Sequence, residues 1–241
     1  MSNAIDIQDL VVEFPDTHGG AVRALQGLSL NVAQGQVYGF LGPNGAGKTT
    51  TMHVLLGFIE ATAGMARLFD EDVRHVIARR RIGYLPEHPD TYQFLTGREL
   101  LLMAGRLFGL PRAALNARAA ELLALVGLET AADRRLATYS RGMLQRIGLA
   151  QALVNDPDLV ILDEPASGFD PLGRIRIREI IIALRERGKT VFFSSHELSE
   201  VERVCDRVGI LAAGRLVAEG RMAELVKAGE SLEQYFIRVV T

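Results

Sequence analysis

The chain has 241 residues, 48% of them hydrophobic, and a net charge of −2, a size suited to one large α/β domain or a core with a small subdomain. No basic stripe favours nucleic acid as a partner, and a single cysteine, Cys205, leaves no intrachain disulfide or thiolate metal cluster to form. No apolar run approaches the ~20 residues of a bilayer span, and Met1 opens a polar segment without the basic-then-apolar order of a secretory signal, so a soluble, cytoplasmic protein is expected.

Residues 4–41 alternate in β fashion, through Ile5, Ile7, Leu10 and Val12 and then Leu25, Leu28 and Leu30. The turn between these strands, Pro15 to Gly20, is polar and expected to be flexible. A short apolar strand, Val37 to Leu41, runs into GPNGAGKTT, Gly42 to Thr50, which fits the phosphate-loop pattern at Gly42, Gly47, Lys48 and Thr49. Glycines let backbone N–H groups close around an anion, and the helix expected from Thr50 to Leu56 adds positive potential at its start. In such a loop Lys48 reaches the β- and γ-phosphates and the Thr49 hydroxyl ligates magnesium. Pro43, Asn44, Gly45, Ala46 and Thr50 complete the cradle. A glycine-rich turn matching by accident is the alternative, and the strand–loop–helix context argues against it.

A strand near Ala66 to Phe69, a helix near Val73 to Arg80 and a strand Ile82 to Leu85 come next. From about Gly97 to Leu128 the pattern is helical, with Leu100, Leu101, Ala104, Leu107 and Phe108 in one helix. Leu115, Ala119, Leu122, Leu123 and Val126 mark a second, which Pro111 starts. The α/β alternation resumes at Ser140. A helix runs to about Val154, a strand covers Leu159 to Leu162, and a helix covers Leu172 to Glu186. A strand Thr190 to Ser194, a helix Leu198 to Val204 and short strands Val208 to Leu211 and Leu216 to Ala218 complete the order. Cys205 falls in the helical stretch among Val201, Val204 and Val208, where a buried, inert thiol is expected. The tail from Lys227 to Thr241 is too short for a further domain. Strands alternating with helices imply a mostly parallel sheet, interrupted by the helical zone as an inserted subdomain.

Two adjacent carboxylates, Asp163 and Glu164, end the strand at Leu162, an arrangement suited to a magnesium site with a general base beside it. Alone, Glu164 could equally cap the strand or pair with a cation. His196 follows an apolar strand and so lies at the sheet edge where ligands collect, although a surface helix cap would read the same way. Phe14, at a strand end, is either core or a platform for a base. Ser140 and Gly142 open a helix, where hydroxyl and N–H groups bind an anion or simply form an N-cap.

Taken together and in this order, the motifs closely resemble those of the ATP-binding subunits of ABC transporters, over nearly the whole chain. Phe14 matches the family's aromatic position, Leu85 to His88 its γ-phosphate-sensing loop, and Tyr139 to Met143 its LSGGQ signature. Leu159 to Glu164 match the catalytic-carboxylate strand, Ser167 to Asp170 the following loop, and His196 the switch histidine. The resemblance implies a RecA-like P-loop NTPase core with an N-terminal antiparallel β subdomain (residues 4–88 and 146–226), an inserted α-helical signature subdomain (89–145) and a short tail (227–241). It implies ATP hydrolysis with Mg2+, in which Glu164 is the base, Lys48 stabilises phosphate charge and His196 touches the γ-phosphate. Thr49, Asp163 and Glu87 are the expected metal-side oxygens, and Phe14 the adenine stack. It further implies a head-to-tail pairing with a second ATP-binding subunit, a homodimer in the simplest case. There Ser140 and Gly142 contact the partner's ATP and Asp170 couples the two sites. A transmembrane permease on a separate chain would hold the protein at the inner face of the membrane. Its dock would lie near Glu87 to Arg98, with Tyr92, Phe94 and Leu95 as contacts.

Two departures from the family pattern stand out. Glu87 occupies a position where glutamine is usual, and the signature reads YSRGM. Arg141 is expected as a salt-bridged surface residue, or else as an extra positive group at the dimer interface. This combination looks like the ABC-2 exporter subgroup, whose members move drugs, ions, lipids or polysaccharides outward, while some serve metal-centre assembly. Other readings are a soluble ABC-type ATPase acting on DNA or ribosomes, a non-hydrolysing ATP-binding regulator, and a nucleotide kinase. The first lacks its coiled coils or second cassette, Glu164 and His196 argue against the second, and the signature is unexplained by the third.

Overall fold

The computed structural model describes residues 2–16, 20–226 and 229–240. Its first strands, β1 (Asn3–Pro15) and β2 (Ala21–Ala33), form a long antiparallel ladder. Period-two alternation buries Ile5, Ile7, Leu10 and Val12 beside Leu25, Leu28, Leu30 and Val32. Residues 17–19 of the polar turn between them lie outside the described residues. After β3 (Val37–Leu41) and α1 (Lys48–Leu55), β4 (Ala63–Leu68) and the two-residue β5 (Glu71–Asp72) complete an antiparallel sheet of order β2-β1-β4-β5.

The helix expected over Val73 to Arg80 is instead a 3-10 turn, Val76–Arg81. Asp72 accepts from the Arg74 backbone N–H at 2.9 Å, a local turn that competes with helix. Val76 and Ile77 are exposed, so no apolar face rewards a longer helix.

β6 (Ile82–Leu85) leads into the helical insert, α2 (Gly97–Leu107) and α3 (Arg112–Leu125), and then into α4 (Arg141–Ala152). Thr96 starts α2 with a capping box: its hydroxyl accepts from Glu99 N at 3.1 Å and Glu99 Oε2 accepts from Thr96 N at 2.8 Å. The last carbonyls of α3 are met from outside the helix. Arg176 Nη2 donates to Leu125 at 3.1 Å and Arg146 Nη1 to Val126 at 2.9 Å, where positive charge suits the helix C-terminus.

β7 (Leu159–Leu162), α5 (Pro171–Glu186), β8 (Thr190–Ser195), α6 (Leu198–Val204), β9 (Arg207–Ala212) and β10 (Arg215–Arg221) finish the main sheet. Its order is β10-β9-β3-β8-β7-β6, parallel throughout except for β10. Alternation splits its side chains between two cores. Val37, Leu41, Val160, Leu162, Val191 and Phe193 face the cluster shared with the helical insert. Tyr38, Phe40, Leu159, Ile161 and Phe192 face the antiparallel sheet and α1. Gln26 ties the sheets together, donating from its backbone to Gly214 and from its side chain to Ala213, each at 2.9 Å.

Cys205 lies one residue beyond α6 in extended backbone, not within the helix. It is buried, and desolvation pushes its thiol well above the ordinary range, which keeps it protonated and unreactive. After α7 (Met222–Leu225), part of the tail folds as α8 (Leu232–Val240) with Leu232 fully buried. Lys227, Ala228 and Thr241 of that tail are outside the described residues.

Candidate functional site

In a parallel sheet, ligands collect beyond the carboxyl ends of the strands. The ends of β3, β6, β7 and β8 are neighbours here, and each delivers one part of a single cleft of about 430 Å³. The loop after β3 supplies Asn44, Gly45, Ala46, Gly47, Lys48, Thr49 and Thr50, the segment after β6 supplies Glu87, β7 supplies Asp163 and Glu164, and β8 supplies His196. Ala24 of β2 closes the remaining side.

The loop's glycines answer to close backbone approach. Gly47, at φ 107°, starts α1, and a Cβ there would sit 2.7 Å from the Ala24 carbonyl oxygen. A Cβ on Gly42 would run into the carbonyl of Leu211. Lys48 is nearly buried (8% exposed) and donates from Nζ to the Gly42 carbonyl at 2.6 Å and to that of Pro43 at 3.3 Å. Gly42 and Pro43 thus anchor the lysine rather than line the cleft.

Both strand-end residues are fixed by Ser194, which is fully buried, Asp163 at its carboxylate and Glu164 at its backbone. Its hydroxyl donates to Asp163 Oδ1 at 2.7 Å and accepts from the Glu164 N–H at 2.8 Å. Thr49 Oγ1 donates to the other Asp163 oxygen, Oδ2, at 3.1 Å. Glu164 itself sits at φ 48°, a left-handed conformation that costs a non-glycine residue on the order of 1–3 kcal/mol and recurs at ligand sites. That turn carries its carboxylate to His196, whose Nδ1 lies 2.7 Å from Glu164 Oε2, with the His196 backbone N–H at 3.2 Å from the same oxygen. A carboxylate oxygen accepts, so this contact is a hydrogen bond in the tautomer that carries its proton on Nδ1.

Ser140, Gly142 and Asp170 lie elsewhere. They line a second cleft of about 510 Å³ with Arg146, Gly168, Phe169 and Arg176. Both polar side chains cap helices: Ser140 Oγ accepts from Met143 N at 3.3 Å, and Asp170 Oδ1 from Gly173 N at 2.7 Å. Arg141 has no carboxylate within 4.0 Å among the described residues. Its guanidinium instead lies against Gly168, which corrects the expectation of a surface ion pair. Phe14, 39% exposed and paired with Val22 across the ladder, does not line the first cleft.

Sequence reasoning named Ser194 only as a landmark and gave Ala24, Arg146 and Arg176 no role. A fully buried serine ending an apolar strand was the available signal for the first. The others depend on tertiary packing.

The donor set of the first cleft suits a hard cation. Thr49 and Asp163 offer oxygens that already meet, with Glu87 on the same wall. Among the described residues no group of three or more His, Cys, Asp or Glu side chains forms a complete metal cage. Magnesium takes one or two carboxylates plus phosphate oxygens, and Thr49 and Asp163 offer oxygens of that kind.

A family profile described as ABC transporter matches residues 25–167. The chain is 52% identical to an uncharacterized ABC transporter ATP-binding protein of Nostoc sp., covering 85% of this chain and 62% of that one. It is 44% identical to the Nod factor export ATP-binding protein I of Paraburkholderia xenovorans, covering 86% and 69%. The chain therefore spans roughly two thirds or less of these relatives' lengths. Its fold superposes on a solved structure titled as the ATP binding subunit of an ABC transporter with a TM-score of 0.87 at 29% identity, covering 98% of this chain and 99% of that one.

Proposed function

This chain belongs to the ABC transporter family of ATP-binding proteins, and from that membership we propose that it hydrolyses ATP as the energy subunit of an export-type transporter. The observation that carries the reading is Glu164, held by Ser194 and His196 on the wall of the cleft that Lys48 and Thr49 enter from the opposite loop. With ATP as substrate, Glu164 orients the attacking water and takes its proton as the water oxygen bonds the γ-phosphorus and the bond to the ADP oxygen breaks. Lys48 and the backbone N–H groups of residues 44–49 stabilise charge on the phosphoryl oxygens. His196 fixes Glu164 and presents its ring beside the γ-phosphate. Phe14, near the end of β1, stacks on adenine, as the family resemblance implies. Magnesium, held by Thr49 and Asp163 with Glu87 alongside, would neutralise phosphate charge when bound. Phosphate release by the purified chain, dependent on ATP and magnesium, tests this reading; its absence would remove it.

The second cleft supports a partner chain. Ser140, Gly142 and Asp170 sit apart from the loop of their own Lys48, so they serve the ATP of a second ATP-binding subunit in a head-to-tail dimer, most simply a homodimer. The segment after Glu87 supports a permease dock: the Tyr92 and Phe94 rings lie 5.8 Å apart, tilted by 47°, and are 58% and 70% exposed, and Leu95 packs against the core. Among the described residues no helix is long and apolar enough to cross a membrane; in this proposal the separate permease holds the chain at the membrane. Export is favoured by likeness to the Nod factor export protein. In domain terms, residues 4–88 and 146–226 are the nucleotide-binding core, 89–145 the helical subdomain and 227–241 the tail. α4 is continuous through the junction at 145–146 and would carry motion between the two parts.

A further inference from the structure

Arg174, in the first turn of α5, lies between the two clefts. Its Nη1 is 2.8 Å from Glu197 Oε2, and its Nε donates to the Phe169 carbonyl at 3.4 Å. Glu197 directly follows His196, and its own N–H is fixed by Ser195 Oγ at 3.0 Å. Phe169 belongs to the wall of the second cleft, where its ring lies against Gly142: a Cβ on that glycine would be 3.4 Å from the ring edge. One guanidinium therefore contacts the loop that holds His196 on Glu164 and the loop that borders Ser140 and Gly142.

One turn further on, Arg178 and Glu200 also join α5 to α6, at 3.1 Å. The side chains of that pair run from helix to helix, and its one tie to the His196 loop is through backbone, Glu200 N donating to the Glu197 carbonyl at 3.1 Å. The two pairs thus separate a role in helix docking from a role in loop position. Partly exposed pairs of this kind add little stability, so what Arg174 adds lies in where it holds its two loops.

We infer that Arg174 is a positioning residue that sets the His196 loop and the Phe169–Asp170 loop together, so that the two clefts of one chain move as a unit. The inference rests on the ATPase reading above. It follows that the nucleotide site and the face offered to a second subunit are coupled inside each chain, through Arg174 and Glu197.

A double-mutant cycle tests it, because coupling is established by energetics and not by adjacency. Steady-state ATP hydrolysis is measured for the wild type, Arg174→Ala, Glu197→Gln, the combined variant and Arg178→Ala, with thermal melting of each. Arg174→Ala and Glu197→Gln are each expected to lower kcat about tenfold, the scale of coupling between contacting residues. KM for ATP should stay within about twofold. The combined variant should be no worse than either single one, Arg174→Lys should recover part of the rate, and Arg178→Ala should keep it. An undiminished kcat in Glu197→Gln, losses that multiply in the combined variant, or an equal loss in Arg178→Ala would overturn the inference while leaving the ATPase reading intact. A wild-type chain without turnover would remove the ATPase reading and this inference with it.

Discussion

Replacing Ser194 with alanine removes one hydroxyl and disturbs both strand-end residues, Asp163 at its carboxylate and Glu164 at its backbone N–H. The hydroxyl donates to Asp163 Oδ1 at 2.7 Å and accepts from the Glu164 N–H at 2.8 Å, in a position without solvent exposure. A hydrogen bond to a charged group contributes about 1.5–3 kcal/mol, and a buried N–H left unpaired costs about 1–3 kcal/mol. The two losses share one site and do not simply add, so a net destabilisation of about 2–4 kcal/mol is expected. For a chain of this size that corresponds to a fall in Tm of roughly 5–15 °C. Urea unfolding, read as a shift in midpoint at unchanged slope, gives the value directly. Ser195→Ala is the control: among the described residues Ser195 Oγ accepts only the Glu197 N–H, at 3.0 Å, and its loss should cost about 1 kcal/mol. If Ser194→Ala cost no more than the control, the claim that this hydroxyl holds Asp163 and the Glu164 backbone in place would be wrong.

Gly47→Ala places a methyl group 2.7 Å from the Ala24 carbonyl at a φ of 107°; ATP binding measured by calorimetry should fall below detection, while a variant that binds normally would show that the loop has room to spare. Phe14→Ala should weaken ATP affinity about threefold to tenfold, the scale of an aromatic stacking contact, and unchanged affinity in a fluorescent-nucleotide titration would return Phe14 to a purely structural role. Tyr139 donates its buried hydroxyl to the Ala131 carbonyl at 2.7 Å, so Tyr139→Phe should lose about 1 kcal/mol in urea unfolding. Asp170→Ala removes the N-cap of α5 and should also cost about 1 kcal/mol, with ATP affinity of the isolated chain unchanged because the residue borders the second cleft only.

The strands of the main sheet were legible because each is a short apolar run bounded by turn residues, and Leu159–Leu162 and Ile82–Leu85 fall where the periodicity puts them. The phosphate loop was legible for a different reason: close approach dictates glycine at positions 42 and 47 whatever the rest of the chain does. What escaped depended on partners distant in sequence. Val73 to Arg80 carries helix-forming residues, yet Asp72 captures Arg74 and the segment finds no core to cover. The tail, expected only to be too short for a further domain, contains the helix Leu232–Val240, which packs against α6 and β10. Ser194, Arg146 and Arg176 became site residues only once the fold supplied two carboxylates and a helix end for them to satisfy. Ser140 and Asp170, expected to serve a partner's ATP, line one cleft, and their side chains are spent on helix caps in the isolated chain.

The central claim is that Glu164 acts on water in the cleft of Lys48, and one comparison addresses it directly: steady-state phosphate release by the wild type and by Glu164→Gln, at saturating ATP with magnesium present. The substitution keeps the side chain's size and removes its basicity, so kcat should fall about 10²–10⁴-fold while ATP affinity stays near that of the wild type. A Glu164→Gln variant that hydrolyses ATP at the wild-type rate would contradict the account.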